Sequence, residues 1–268
     1  MAPKVLVVLT SANEIPKLQR PTGWYLPEFA HPHEILHGKA SLTIASPKGG
    51  EAPLDPASVE MFKSDATSTK FLAEQKALWT NTHKLSDILP RADEFDALFY
   101  VGGHGRKLPT IPSLIYQPRP NPKNKRKTSL ALTYTSYPAM FDLTTDPVSL
   151  SLIETFAAAK KPVAAVCHGP CVFLNAKSPS GVPLISGATV TGFSNAEEDQ
   201  VQLSDAMPFM LETELQKISG GGYVKADEPW GEKVVVSKTA GVGGPLITGQ
   251  NPASATGVGL AIAKALGL

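Results

Sequence analysis

"KKPVAAVCHGPCVFLNAK", Lys160 to Lys177, is the stretch on which the fold turns. Val163 to Val166 form an unbroken apolar run of strand length that ends at Cys167. Gly169 and Pro170 then allow a sharp turn into a helix. Glycine accepts either backbone hand, and proline lacks only an N–H that a first helical turn leaves unpaired. A strand buried on both faces and followed at once by a helix is the building unit of a parallel sheet.

Runs of the same kind recur at "KVLVVLT" (Lys4 to Thr10), "SLTIAS" (Ser41 to Ser46), "ALFYVGG" (Ala97 to Gly103) and "KVVVSK" (Lys233 to Lys238). Between them lie helical spacings: "PEFAHPHEILHGK", "STKFLAEQKALWTN", "PVSLSLIETFAAAK", "PFMLETELQKIS" and "PASATGVGLAIAKALG". This alternation predicts an α/β fold, a doubly wound and mostly parallel sheet with helices on both faces. Residues 1–268 are read as one such domain. Sites in these folds gather at the carboxyl ends of the strands, which directs attention to Gly102–Gly105, Cys167–Pro170 and the residues after Thr10.

The bulk numbers narrow the class. The longest apolar run at the N-terminus is only five residues, and nothing reaches the 18 that a membrane span needs, so a soluble intracellular chain is expected. The two cysteines, Cys167 and Cys171, make no disulfide framework and suit a reducing compartment. Net charge is +1, but residues 106–139 hold seven Lys or Arg and no acid, leaving 18 basic against 24 acidic residues elsewhere. An acidic body of that kind offers no general footprint for nucleic acid.

The segment 106–139 stands apart, with six prolines and no sustained period. It reads as a flexible, solvated insert. "PKNKRK", Pro122 to Lys127, fits a nuclear-import or nucleic-acid patch, and translated intron sequence is a third reading that the transcript would decide.

The layout around Cys167 is that of a nucleophile elbow, which lifts one side chain above the sheet edge. A helix N-terminus aimed at the sulfur favours thiolate, so an exposed thiol of low pKa is expected, with His168 beside it as proton acceptor. The alternative is a small buried hydrophobe at a strand end. Cys171, one turn on, is expected to pack beneath the nucleophile.

"AAVCHGP", with "VGGHG" (Val101 to Gly105), "GVPLISGATVTGFSNAEE" (Gly181 to Glu198) and "LITGQNPASA" (Leu246 to Ala255), resembles the ThiJ/PfpI superfamily. Within it, the chain is similar to the heat-shock chaperone branch that holds glutathione-independent glyoxalases (glyoxalase III). The resemblance covers Lys4–Gly105 and Met140–Leu268, and it implies a flavodoxin-like sandwich, a homodimer and conversion of methylglyoxal to D-lactate without a cofactor. Carried over, the nucleophile falls on Cys167 and its histidine on His168. The third member falls on Glu198, with Glu197 adjacent and not separable by spacing. A further acid in an E-x-x-H-P context falls on Glu28, and oxyanion donors fall on the amides of Gly103 and His104. The implied partner is a small α-oxoaldehyde, and the implied location is cytoplasmic and in part nuclear. Holdase and protein deglycase activities belong to the same branch and remain open alternatives.

Two rivals are weaker. Cys, His and an acid also suit a peptidase. His33, Glu34 and His37 match the zinc pattern H-E-x-x-H, with Pro32 read as the start of their helix and Gly38 as its end, but no third ligand or companion motif follows. No metal is expected. "SGGGYV" and "AGVGGP" lack the ending of a phosphate loop and read as turns, while Asn251 and Pro252 are placed to cap the last helix.

Overall fold

The computed structural model describes residues 2–103, 140, 142–238 and 243–268. The basic insert, His104 and part of "AGVGGP" lie outside the described residues. Seven strands form one sheet: β1 (Lys4–Val8), β2 (Ser41–Ser46), β3 (His83–Lys84), β4 (Ala97–Tyr100), β5 (Val163–Val166), β6 (Val234–Lys238) and β7 (Pro245–Gly249). Their spatial order is β3-β2-β1-β4-β5-β7-β6, parallel throughout except for β6, which runs antiparallel to β7. The order reverses between β1 and β4, so the carboxyl ends of those strands open a crevice beside β5.

The apolar runs form β1, β4 and β5 because all their neighbours are apolar too. Every residue from Val5 to Val8, Ala97 to Tyr100 and Val163 to Val166 is buried. "KVVVSK" differs from the expectation. It is an edge strand covered on one side only, and Val236 is 56% exposed. The strand between β5 and this edge is β7, whose "PLITG" the sequence reading did not count among the strands.

Flanking helices are α1 (Leu26–Leu36), α2 (Pro56–Met61), α3 (Ala66–Glu74), α4 (Pro147–Ala158), α5 (Asn195–Gln200), α6 (Leu211–Ser219) and α7 (Ala255–Ala265). Side-chain caps set several starts. Asp55 accepts from Ala57 and Ser58, Asp65 from Ser68 and Asp146 from Ser149, each satisfying an amide that the first turn leaves orphaned. Asn251 caps the short turn Pro252–Ser254 that leads into α7. Among the described residues no helix is long and apolar enough to cross a membrane.

Helix α1 matters most for the site, and it begins earlier than the motif implied. Pro27 occupies its first turn and Pro32 lies inside it, so Pro32 does not open a helix over His33–His37. Its start is held by aromatic packing: Trp24 meets Phe29 edge-on at 5.8 Å and Trp79 at 5.4 Å, while its indole donates to the Ala52 carbonyl. Such ring pairs contribute about 0.5–1.5 kcal/mol each beyond their burial, enough to fix where Glu28 emerges. His33 and His37 stack at 4.9 Å, His33 also packs against Phe71, and Glu34 pairs with Lys70. Burial and the neighbouring His37 push the His33 pKa down to about 4. Among the described residues no three His, Cys, Asp or Glu side chains gather as metal ligands.

Candidate active site

Cys167 follows β5 directly, and its backbone carries the turn. Its φ is 61°, a left-handed conformation that costs a non-glycine residue about 1–3 kcal/mol and persists only where its surroundings impose it. Two backbone bonds do so here. The Cys167 amide donates to the Gly249 carbonyl at 2.9 Å, and its carbonyl accepts from the Phe193 amide at 2.9 Å. The elbow is thus locked to β7 on one side and to the "TGF" segment on the other.

His168 is fully buried, its ring 4.4 Å from that of Phe193. Its Nδ1 lies 3.4 Å from the Cys167 sulfur and its Nε2 lies 2.7 Å from Glu198 Oε2. With Nε2–H donated to the carboxylate, Nδ1 is left with its lone pair towards sulfur. Glu197, which spacing could not separate from Glu198, faces away. Its Oε2 accepts from the Ser194 amide and hydroxyl, closing a capping box at the start of α5. The pattern Ser194-x-x-Glu197 is the sequence signal that could have separated the two acids.

Glu28, in the first turn of α1, is buried from solvent and directed at the same sulfur. Neither of its oxygens has a hydrogen bond of full geometry among the described residues. The polar groups beside it are the Cys167 thiol and the Gly102 amide. Burial pushes its pKa well above the ordinary carboxylate range, and those two neighbours offset only part of that rise.

The thiol itself departs from expectation. Cys167 is 2% exposed, and burial first, then the Glu28 carboxyl, push its pKa well above the ordinary thiol value. The segment after it is a five-residue 3-10 turn, Gly169–Phe173, where an α-helix was expected. Little dipole is available from so short a turn, and burial beside an acid outweighs it. Cys167 therefore rests as a shielded thiol. Cys171 is also buried, and burial pushes its pKa up to about 12.

Gly102 belongs to the stretch the sequence singled out at the strand ends, whereas Asp142 was not singled out. A Cβ on Gly102 would stand 2.5 Å from Glu28 Oε2, 2.5 Å from the Val166 carbonyl oxygen and 2.9 Å from the Cys167 Cβ. Gly102, before the expected Gly103, is thus the glycine against which the Glu28 carboxyl and the Cys167 Cβ both pack. Gly103 instead packs against the backbone of Gly23 and Trp24 at a φ of +156°. Asp142, at the carboxyl end of β1, accepts from the Thr10 hydroxyl at 2.9 Å, the Ser11 amide at 2.9 Å and the Leu143 amide at 2.8 Å. Burial raises its pKa to about 6.

Likeness to known proteins extends over nearly the whole chain. No family model matches the chain. Glyoxalase 3 of Candida albicans is 28% identical over 261 residues, covering 94% of this chain and 93% of that protein. The crystal structure of glyoxalase III from Candida albicans superposes with a TM-score of 0.75 at 25% identity, covering 98% of this chain and 97% of that one. A ThiJ/PfpI domain protein from Brachyspira murdochii, at 18% identity, TM-score 0.53 and 98% and 96% coverage, shares the fold. The chain has the fold of the ThiJ/PfpI domain. Its likeness to glutathione-independent glyoxalases extends over nearly the whole chain, and its cysteine elbow, buried histidine and α1 glutamate lie together at the carboxyl edge of the sheet.

Proposed function

We infer that the protein is a glutathione-independent glyoxalase that turns methylglyoxal into D-lactate through a covalent adduct on Cys167. The observation that carries this is the line Cys167 Sγ to His168 Nδ1 at 3.4 Å and His168 Nε2 to Glu198 at 2.7 Å, with the Glu28 carboxyl also beside the sulfur.

The thiol adds to the aldehyde carbon. His168 takes the thiol proton as the S–C bond forms and hands it to the new alkoxide, giving a neutral hemithioacetal. His168, neutral again, removes the hydrogen from that carbon. Glu28, held protonated by its burial, gives a proton to the ketone oxygen, and an enediol results. Return of the first proton to the neighbouring carbon, while Glu28 recovers one from the hydroxyl on the sulfur-bearing carbon, leaves a lactoyl thioester. Water hydrolyses it and restores the thiol. One carbon is oxidised as the other is reduced, so the electrons balance within the substrate. Amides at the Gly102–Gly103 turn, with His104, are proposed to hold the developing oxyanion.

A thiol of raised pKa fits this sequence, since it loses its proton only as a substrate carbon arrives. Homodimerisation and a cytoplasmic setting accompany the family resemblance and are proposed on that basis; light scattering on purified protein tests the first. The deciding experiment feeds methylglyoxal to wild type and to Cys167→Ala and follows D-lactate. Production by wild type and none by the variant is expected, and equal production would overturn the cysteine mechanism. Suppression of protein aggregation without any D-lactate from wild type would favour the holdase reading instead.

A further inference from the structure

Glu197 does not face the reacting groups, yet its burial and its partners need an explanation. It is fully buried, and its two oxygens receive hydrogen bonds from three separate segments. Oε2 accepts from the Ser194 amide at 2.8 Å and the Ser194 hydroxyl at 2.7 Å. Oε1 accepts from the Trp230 amide at 2.9 Å, Gln250 Nε2 at 3.0 Å and Asn251 Nδ2 at 2.8 Å. A carboxylate has about four lone-pair sites and donates nothing, so this one is saturated.

The segments it joins are those that build the site. Ser194 follows Phe193, whose amide pins the Cys167 carbonyl and whose ring packs on His168. Gln250 and Asn251 follow Gly249, which accepts from the Cys167 amide. The Trp230 ring meets Phe193 edge-on at 5.5 Å. Glu197 also precedes Glu198 on the same first turn of α5. A cap alone would need only Ser194 and Oε2; the three donors on Oε1 serve no helix start.

We propose that Glu197 is a positioning residue that ties α5 to the strand end beside the cysteine, so that Glu198 meets His168 at the angle that leaves Nδ1 open to sulfur. This rests on the glyoxalase reading above. Shortening or neutralising Glu197 should therefore disturb the histidine before it disturbs the fold. Glu197→Gln puts an amide NH2 against donors on one side or the other, either Ser194 or the Gln250 and Asn251 amides. Glu197→Asp keeps the charge but withdraws it by one methylene.

The test measures three things on both variants and on Ser194→Ala: thermal unfolding, the pH profile of kcat and KM with methylglyoxal, and the imidazole nitrogen shifts of His168 by NMR. In a folded Glu197→Gln, kcat is expected to fall about 10- to 100-fold with KM within about twofold, the share of a general acid–base contribution that orientation controls. The acid limb of the profile should move, and His168 should lose its single tautomer protonated at Nε2. Ser194→Ala, which removes the cap hydroxyl and leaves Oε1 untouched, should lower the melting temperature with kcat nearly intact. If Glu197→Gln does not fold, Glu197→Asp carries the same reading. A folded Glu197 variant with wild-type kcat, pH profile and His168 tautomer overturns the proposal. The tautomer is read without substrate, so a protein whose Cys167→Ala variant keeps full turnover refutes the glyoxalase mechanism while leaving this measurement to decide the role of Glu197.

Discussion

The Cys167 sulfur lies 3.4 Å from Nδ1 of His168, the very next residue, so the elbow presents the proposed nucleophile and its proposed proton acceptor as one unit. The turn that carries both residues has Cys167 at a φ of 61°, in the left-handed region. The other members of the site come from distant parts of the chain. Their contributions can be separated by substitution.

Glu198 carries orientation and charge. Glu198→Gln leaves a side chain of the same size beside Nε2 but removes the charge that favours one tautomer and stabilises a protonated ring. Turnover is expected to fall about 10²- to 10⁴-fold with little change in melting temperature, the range spanned by general acid–base contributions. Retention of wild-type kcat would remove Glu198 from the mechanism.

The thiol should resist alkylation at neutral pH. Burial and the Glu28 carboxyl hold its pKa well above the ordinary value. The rate of reaction with iodoacetamide, followed against pH, should therefore have its midpoint above the ~8.5 of a free cysteine. In Glu28→Gln, where the neighbouring carboxylate is gone, the midpoint should move down. A wild-type midpoint near or below 7 would contradict the shielded thiol.

Glu28 should weaken the fold as pH rises. Its folded pKa stands well above the unfolded value of about 4.3, so the folded state holds a proton that the unfolded state releases. Its favourable contribution is complete below that unfolded pKa and is lost as pH rises through the folded one. Glu28→Gln, which cannot ionise, should match wild type near pH 4 and become progressively more stable than it towards pH 8. Asp142, with a pKa near 6, titrates in both proteins and cancels in the difference. Melting curves for the two proteins that stay parallel across this range would sink the argument.

Gly102 tests the crowding of the site. Gly102→Ala forces a methyl to within 2.5 Å of both Glu28 Oε2 and the Val166 carbonyl oxygen. The backbone oxygen cannot move without disturbing β5, so a loss of about 1–3 kcal/mol of stability is expected, as in other overpacked interiors. Activity should fall further than stability, because Glu28 and the sulfur must part. Chemical denaturation together with the methylglyoxal assay checks both.

Much of the architecture was legible in short apolar runs. "KVLVV", "ALFY" and "VAAV" announce strands buried on both faces, and strand, turn and proline around Cys167 announce the elbow. Local pattern could not rank the strands across the sheet. Three consecutive valines look interior, yet Val234–Lys238 lies at the edge, because a strand's exposure is set by how many neighbours it has. The choice between Glu197 and Glu198 was present in the Ser194 capping pattern, but only the tertiary bonds of Glu197 to Trp230, Gln250 and Asn251 and of Glu198 to His168 show one acid at the helix cap and the other at the histidine. The state of the thiol was beyond any local reading. A cysteine before a Gly-Pro turn has a low-pKa look, whereas Cys167 is governed by its burial and by a carboxyl on α1, brought close beside Gly102 just beyond the end of β4. Residue identity and spacing determine which groups can react. Desolvation and through-space charge, which exist only once the chain has closed around them, decide in what protonation state they wait.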